Sequence, residues 1–398
     1  MKIAKTTQWF SVVFFAALLS CSVMAEDVQN ADKGYEQHTK TLTSTVLGEA
    51  RTFTIQLPKS YHTNPNKKYP VIYRLDGKGN LPLMSTVLER LHTANVSAAP
   101  EVIIVAIENT ERLRDLYPTK NKEPAGPMNI GGGAATFLKF IETELIPFVN
   151  KGYRTHDFKV IAGASAAGTF ALYALQAKPE LFQAHIAYSP AVWWNFGATA
   201  KSTKAFISKT KQLDNFLFIA IGNEGGVMRE RYDDMAQFLA DNQPNGLRFF
   251  SDVYDNVPHG LVSAAGIFSA YQKLFMPTQM PARAYTGELS SITKYYQQLS
   301  AQYGEVIEPQ EAVVRGLGYY QVNAGNVKEA IKLFKYGVSL YPNTADAYNG
   351  LAYGYETDKQ YQASLEQVNK ALALSSKGDG GYDVFVARKE RLTKLLGE

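Results

Sequence analysis

Ser165 stands in the string Gly163-Ala-Ser-Ala-Ala-Gly168. There the apolar run Val160–Ala162 gives way to a helical pattern at Phe170, Leu172, Tyr173 and Leu175. A serine on a tight strand-to-helix turn, with small neighbours that let the turn close, is the layout of a nucleophile elbow. The free N–H groups of the following helix would face developing negative charge. The string alone is a weak signal, because its second glycine is displaced by one position. A serine nucleophile also needs a base to take its proton and an acid to orient that base. In α/β-hydrolases these follow in the order serine, acid, histidine.

Two histidines lie after Ser165. His185 falls inside the apolar run Ala184–Tyr188 and reads as a packed strand residue. His259 lies between Pro258 and Gly260, just past the last predicted strand, in a loop able to present an imidazole. For the acid, Glu224 follows the run Phe216–Gly222 directly, among Gly222, Gly225 and Gly226. Asp252 and Asp255 remain as alternatives, although they sit very near His259 in sequence. Glu230, Asp233 and Asp234 read as the charged face of a helix. An oxyanion hole would combine the N–H of Ala166 with one from the loop Leu75-Asp76-Gly77-Lys78. Lys78 N–H is the first choice, with Gly77 letting the backbone approach substrate.

These residues need elements to hold them. Alternating residues from Glu36 to Ile72 predict an antiparallel strand pair turning near Gly48. Short apolar runs then recur at Val71–Leu75, Val102–Ile107, Val160–Ala162, Ala184–Tyr188, Phe216–Ile221 and Arg248–Tyr254. Helical stretches such as Thr136–Asn150 and Asp233–Asp241 lie between them. This grammar predicts an α/β fold, a mostly parallel sheet with helices on both faces. Ligands bind such sheets outside the carboxyl ends of the strands, where Asp76-Gly77, Ser165 and Glu224 all fall.

After about Met280 the strand pattern stops. Gly318, Ala330, Phe334 and Pro342 map, 34 residues on, to Ala352, Ser364, Val368 and Ser376. Small residues recur where paired helices must approach, and large ones fill the seam. The period is that of tetratricopeptide repeats, although the second unit lacks the closing proline. Helices at Ile292–Tyr303 and Val384–Leu396 would cap the array. The expected domains are a leader at 1–25, an α/β-hydrolase domain at 26–280 and an all-α tetratricopeptide-like domain at 281–398.

Composition limits the function. With 41 Lys and Arg against 37 Asp and Glu, and no basic-aromatic cluster, the chain gives no basis for nucleic-acid binding. Its single cysteine, Cys21, lies in the leader, so the folded part can hold no disulfide, catalytic thiol or cysteine metal site. Lys2 and Lys5, the apolar run Trp9–Leu19 and Val23-x-Ala25 describe a secretory signal cut after Ala25. Leu18-Leu-Ser-Cys21 also resembles a lipoprotein box, the second way the leader could end. Either reading expects a periplasmic or secreted protein without a transmembrane span in its mature part.

Several stretches together resemble the putative esterase family of α/β-hydrolases, which includes enterochelin-type siderophore esterases, feruloyl esterases and the esterase D group. They are Tyr69–Gly77, Ile107–Thr119, Phe137–Thr155, the elbow, Tyr188–Trp194, Gly222–Glu224 and His259-Gly260. The resemblance spans about residues 40 to 276. It implies Ser165 as nucleophile, His259 as base and Glu224 as acid, and it puts Arg114-Asp115 and Trp193-Trp194 near the substrate. The chain departs from the family at Ala167, where glycine is usual and a methyl should crowd the elbow, at Ala164, and at Tyr117, where threonine is frequent.

The expected activity is hydrolysis of a carboxylic ester through an acyl-enzyme, with no metal or organic cofactor and a small-molecule ester as substrate. Trp193, Trp194 and the tyrosines would suit an aromatic acyl group or a catecholate siderophore, and Lys120 and Lys122 an anionic ligand. The contrasting reading is a non-catalytic scaffold that binds a protein partner through its C-terminal helices.

Overall fold

The computed structural model describes residues 35–93, 99–124, 126–276, 280, 284–303 and 306–397. The expected leader, with Cys21 and Ala25, lies outside the described residues.

Eight strands form one sheet: β1 (Gln37–Ser44), β2 (Glu49–Gln56), β3 (Tyr69–Arg74), β4 (Ile103–Ile107), β5 (Thr155–Ala164), β6 (Ala184–Tyr188), β7 (Phe216–Ile221) and β8 (Arg248–Val253). Their order is β1-β2-β4-β3-β5-β6-β7-β8. The β1–β2 hairpin joins the edge of β4 antiparallel, and β3 to β8 run parallel. Every residue of β3, β4, β6 and β7 is buried, because helices cover both faces. Such strands read as unbroken apolar runs rather than alternating ones. The alternation appears in which core each residue enters. Val71, Tyr73, Ile103, Val105 and Ile161 point to one side. Ile72, Ile104, Val160, Ile186 and Phe218 point to the other.

The chain then adds α1 (Leu81–Thr93), α2 (Arg112–Leu116), α3 (Ala134–Phe140), α4 (Ile146–Gly152), α5 (Ala166–Ala177), α6 (Trp194–Lys209), α7 (Gly226–Asp241) and α8 (Val262–Phe275). A π-helical turn, Ile141–Leu145, joins α3 to α4 into the stretch that the sequence marks as one helix. Phe137, Phe170, Leu172, Tyr232 and Met235 from α3, α5 and α7 fill the first core. Met84, Leu88, Val262, Tyr271 and Leu274 from α1 and α8 fill the second.

Six more helices follow: α9 (Leu289–Tyr303), α10 (Glu311–Asn323), α11 (Val327–Leu340), α12 (Ala345–Thr357), α13 (Tyr361–Ala373) and α14 (Tyr382–Leu396). α9 is part of the sheet's own packing, since its Ile292, Tyr296 and Leu299 enter the second core. In the pairs α10–α11 and α12–α13, the expected small and large residues meet. Phe334 lies against Gly318, Gly350 and Gly354, and Ser364 Oγ donates to Ala352 O at 2.7 Å. No helix among the described residues is long and apolar enough to cross a membrane.

Candidate active site

The sheet's carboxyl edge is built around the junction of β5 and α5. Ser165 occupies it with φ 58° and ψ −119°. A serine gains nothing locally from a positive φ, so the surroundings must hold it there. Its N–H donates to Tyr188 O at 2.9 Å. Its carbonyl accepts from Thr169 N at 2.9 Å and from Ala191 N at 3.2 Å. The crowding expected at Ala167 is relieved at Gly163, where an added Cβ would lie 2.5 Å from the Ala167 Cβ. No side chain caps α5, so the Ala166 N–H at the helix start has no capping side chain.

Glu224 and His259 come together from neighbouring strand ends. Glu224 follows β7, and His259 opens a 3-10 turn, His259–Leu261, between β8 and α8. His259 Nδ1 lies 2.7 Å from Glu224 Oε1. The two loops are laced by Asn223 N donating to Val257 O at 2.8 Å. Gly222 makes this approach possible, because a Cβ there would meet Val262 at 2.6 Å and Glu224 Oε2 at 2.9 Å. The carboxylate is nearly buried, with a side-chain exposure of 9% against 44% for the imidazole. Burial pushes the Glu224 carboxyl up, but hydrogen bonding by Ser189 and His259 holds it below the ordinary carboxylate range. The Ser189 pairing is loose: its Oγ and Glu224 Oε2 are both buried without a well-aligned hydrogen bond. Ser189 follows Tyr188, whose carbonyl holds Ser165, and its own N–H donates to Ala220 O of β7, the strand that leads to Glu224.

The alternative acids are engaged elsewhere. Asp252 accepts from Tyr254 and Ser269 at 3.0 and 2.6 Å and pairs with Lys273, and Asp255 lies 3.4 Å from Arg229. His185 is fully buried with neither ring nitrogen hydrogen-bonded, and burial pushes its pKa down to about 3. It is the packed strand residue that its apolar run implies.

The loop after β3 supplies the facing wall. Asp76 and Gly77 both have positive φ, 66° and 72°. Gly77 N donates to Ile107 O at 2.8 Å. Lys78 N–H, the expected oxyanion donor, donates to Glu108 Oε1 at 3.0 Å. Glu108 lies flat on this backbone, and a Cβ on Gly77 would come within 2.7 Å of its carboxyl carbon. Behind the loop, the buried Arg74 donates through Nη2 to Asn80 Oδ1 at 3.0 Å and to Ser263 Oγ at 2.8 Å. It thereby ties this loop to the helix that begins just after His259.

The segment Glu111–Tyr117 places its arginines differently from the sequence reading. Arg112 clasps Asp76 through Nε and Nη2, at 2.7 and 3.1 Å, and Nη2 also donates to Ala164 O at 3.2 Å. It therefore joins the loop to the residue before Ser165. Arg114 binds Glu49 at 2.6 Å and Asp115 at 2.8 Å, and Asp115 also pairs with the buried Arg51. Residues two apart on a helix lie on nearly opposite sides, so only one of the two arginines can face the elbow. The hydrogen bond to Ala164 O identifies Arg112 as that one.

Trp194 is buried, stacked on Tyr117 at 3.7 Å between centroids, with Nε1 donating to Thr119 O at 2.9 Å. Tyr117 thus exchanges a family threonine for an aromatic partner. Trp193 is half-buried, edge-on to Trp194 at 5.6 Å. Asn195, Phe196 and Gly197 follow with φ of 47°, 55° and 75°. This left-handed turn holds Phe196 47% exposed. Asn195 Oδ1 accepts from Lys122 N, and Glu123 Oε2 accepts from Phe196 N, both at 3.1 Å. Sequence reasoning did not single out Phe196; the following Gly197 was the available sign of a sharp turn.

The family described as "putative esterase" matches residues 44–245 of the chain. The ferri-bacillibactin esterase of Bacillus subtilis is 34% identical over 208 residues, 48% of this chain and 72% of that protein. A siderophore triacetylfusarinine C esterase of Aspergillus fumigatus is 33% identical over 153 residues, 36% of this chain and 51% of that one. Among solved structures, an IroE-like serine hydrolase from Shewanella oneidensis superimposes with a TM-score of 0.64 at 28% identity. It covers 77% of this chain and 100% of its own. An uncharacterised protein from Capnocytophaga ochracea shares the fold alone, with a TM-score of 0.66 at 18% identity. It covers 90% of this chain and all of its own, so the likeness runs into the C-terminal helices. With its fold and its family in agreement, the chain belongs to the putative esterase family and is a carboxylic-ester hydrolase.

Proposed function

We propose that the chain hydrolyses a siderophore-type ester by serine catalysis. The supporting observation is Ser165, held at positive φ on the start of α5, together with the His259–Glu224 pair at 2.7 Å on the same carboxyl edge of the sheet. In this reading Ser165 Oγ attacks the ester carbonyl and His259 Nε2 takes its proton. Glu224 accepts the Nδ1–H and stabilises the imidazolium. Ala166 N–H and Lys78 N–H receive the oxyanion. The leaving alcohol takes the proton from His259, and water activated by the same imidazole releases the acyl group.

The substrate class rests on the curated relatives, which are esterases of siderophores, and on the aromatic rim of Trp193 and Phe196. The pairs α10–α11 and α12–α13 are read as two tetratricopeptide-like repeats in a helical part from 281 onward. Export of the chain, with residues 1–25 as leader, completes this reading. Turnover of a short p-nitrophenyl ester and of a ferric triscatecholate by wild type and Ser165→Ala tests it. A loss of roughly 10⁴-fold or more is expected. Wild-type turnover by the variant would end the reading.

A further inference from the structure

The expected oxyanion donor on the β3 loop is already occupied. Lys78 N–H donates to Glu108 Oε1 at 3.0 Å, and the carboxylate lies on the peptide that joins Gly77 to Lys78. Glu108 stands directly after β4, so a short side chain on a sheet strand end delivers this charge. An oxyanion and a carboxylate cannot share one N–H, and two like charges a few ångströms apart repel. We propose that Glu108 is a rate-setting residue of the site: its carboxylate competes with the transition-state oxyanion for Lys78 N–H and must move aside in each turnover. Resting on the serine-esterase reading above, this inference adds a residue that opposes catalysis. The contact covers the polar backbone while no acyl group is bound, and the cost appears when charge develops on the carbonyl oxygen. Arg112, clasped by Asp76 on the other side of the loop, is engaged elsewhere and does not neutralise Glu108 by a direct contact.

Labelling by a fluorophosphonate tests this on the full chain. Ser165 Oγ forms the O–P bond, fluoride leaves, the proton passes to His259, and the P–O oxygen gathers charge where the ester oxyanion would. Glu108→Ala should accelerate labelling about fivefold or more by freeing the N–H. Glu108→Gln, which keeps an acceptor but not the charge, should fall between. The acceleration should vanish in a Lys78→Pro background, where the N–H is absent. Proline fits there, because Lys78 begins a 3-10 turn and Gly77 before it has ψ −173°, away from the helical ψ that a following proline disfavours. Should Glu108→Ala fail to fold, the isosteric Glu108→Gln carries the comparison. Unchanged or slower labelling, or acceleration that persists with Lys78→Pro, overturns the proposal. Labelling that survives Ser165→Ala overturns the serine reading instead, whatever the Glu108 variants do.

Discussion

Gly163 and Ala167 face one another across the elbow, so close that a Cβ on the glycine would lie 2.5 Å from the alanine methyl. The Ala167 carbonyl carbon and oxygen would lie 2.6 Å from that Cβ as well, so only the helix position can carry a methyl. Gly163→Ala is therefore expected to displace Ser165 and abolish activity, with a clear drop in melting temperature. Ala167→Gly should keep activity and cost about 1 kcal/mol through helix propensity. Thermal melts alongside esterase assays separate the two outcomes.

Arg112 and Asp115 lie three residues apart and should fail in different ways. Asp115 and Arg51 form a buried pair, exposed by only 4% and 1% at the side chain. Asp115→Ala leaves the buried Arg51 guanidinium with Glu49 as its remaining carboxylate and should destabilise by about 1–3 kcal/mol. Arg112→Leu releases Asp76 and Ala164 O, the two flanks of the site, and should lower kcat about tenfold or more with a smaller effect on stability. Denaturant titration and steady-state kinetics on both variants check the contrast.

Glu224 is one of several carboxyls, with Glu101 and Asp252 among them, through which the fold is sensitive to acid. Its pKa is lowered in the folded state, opposed by burial and carried by its hydrogen bonds. Such a group stabilises the fold above the ordinary glutamate pKa of about 4.3, and this contribution is lost as pH falls through the lowered folded-state value. Glu224→Gln should flatten this part of the stability-versus-pH curve below about pH 4 and lower kcat at neutral pH about 10²-fold or more. Melting temperatures from pH 3 to 7 read the first effect.

The C-terminal helices are not separable at the end of α8. Ile292, Tyr296 and Leu299 of α9 are 0%, 4% and 4% exposed within the core shared with α8. Each is worth about 1.5–3 kcal/mol of burial, and together they approach the net stability of a domain. Truncation before residue 284 should give insoluble or molten protein. Truncation after α11, whose Leu333 is 0% exposed in the same core, should leave a folded esterase. Circular dichroism melts of the two truncations compare them.

Much of this was legible in the sequence. Five of the six apolar runs became strands within two residues of their ends, and β3, β4, β6 and β7, buried on both faces, are written in unbroken apolar residues, whereas β5 starts five residues before its run, in the mostly polar Thr155–Lys159. The 34-residue period also found its helices, since Gly318 and Phe334 must differ in size to touch. The site was legible up to the residues that motifs name. Glu108 and Arg112 were not, because their roles depend on which side of a strand end or a single helical turn faces the elbow. Phe196 was hidden for a related reason: three successive left-handed residues sit inside a stretch that otherwise reads as helix.

The central claim is that Ser165 is an activated nucleophile. Peptide mass mapping of the wild-type chain after brief reaction with a fluorophosphonate tests it most directly. The account expects one phosphonyl adduct per chain, on Ser165, and none when His259 is replaced by alanine. An adduct on another residue, or full esterase activity with Ser165 unmodified, would contradict it.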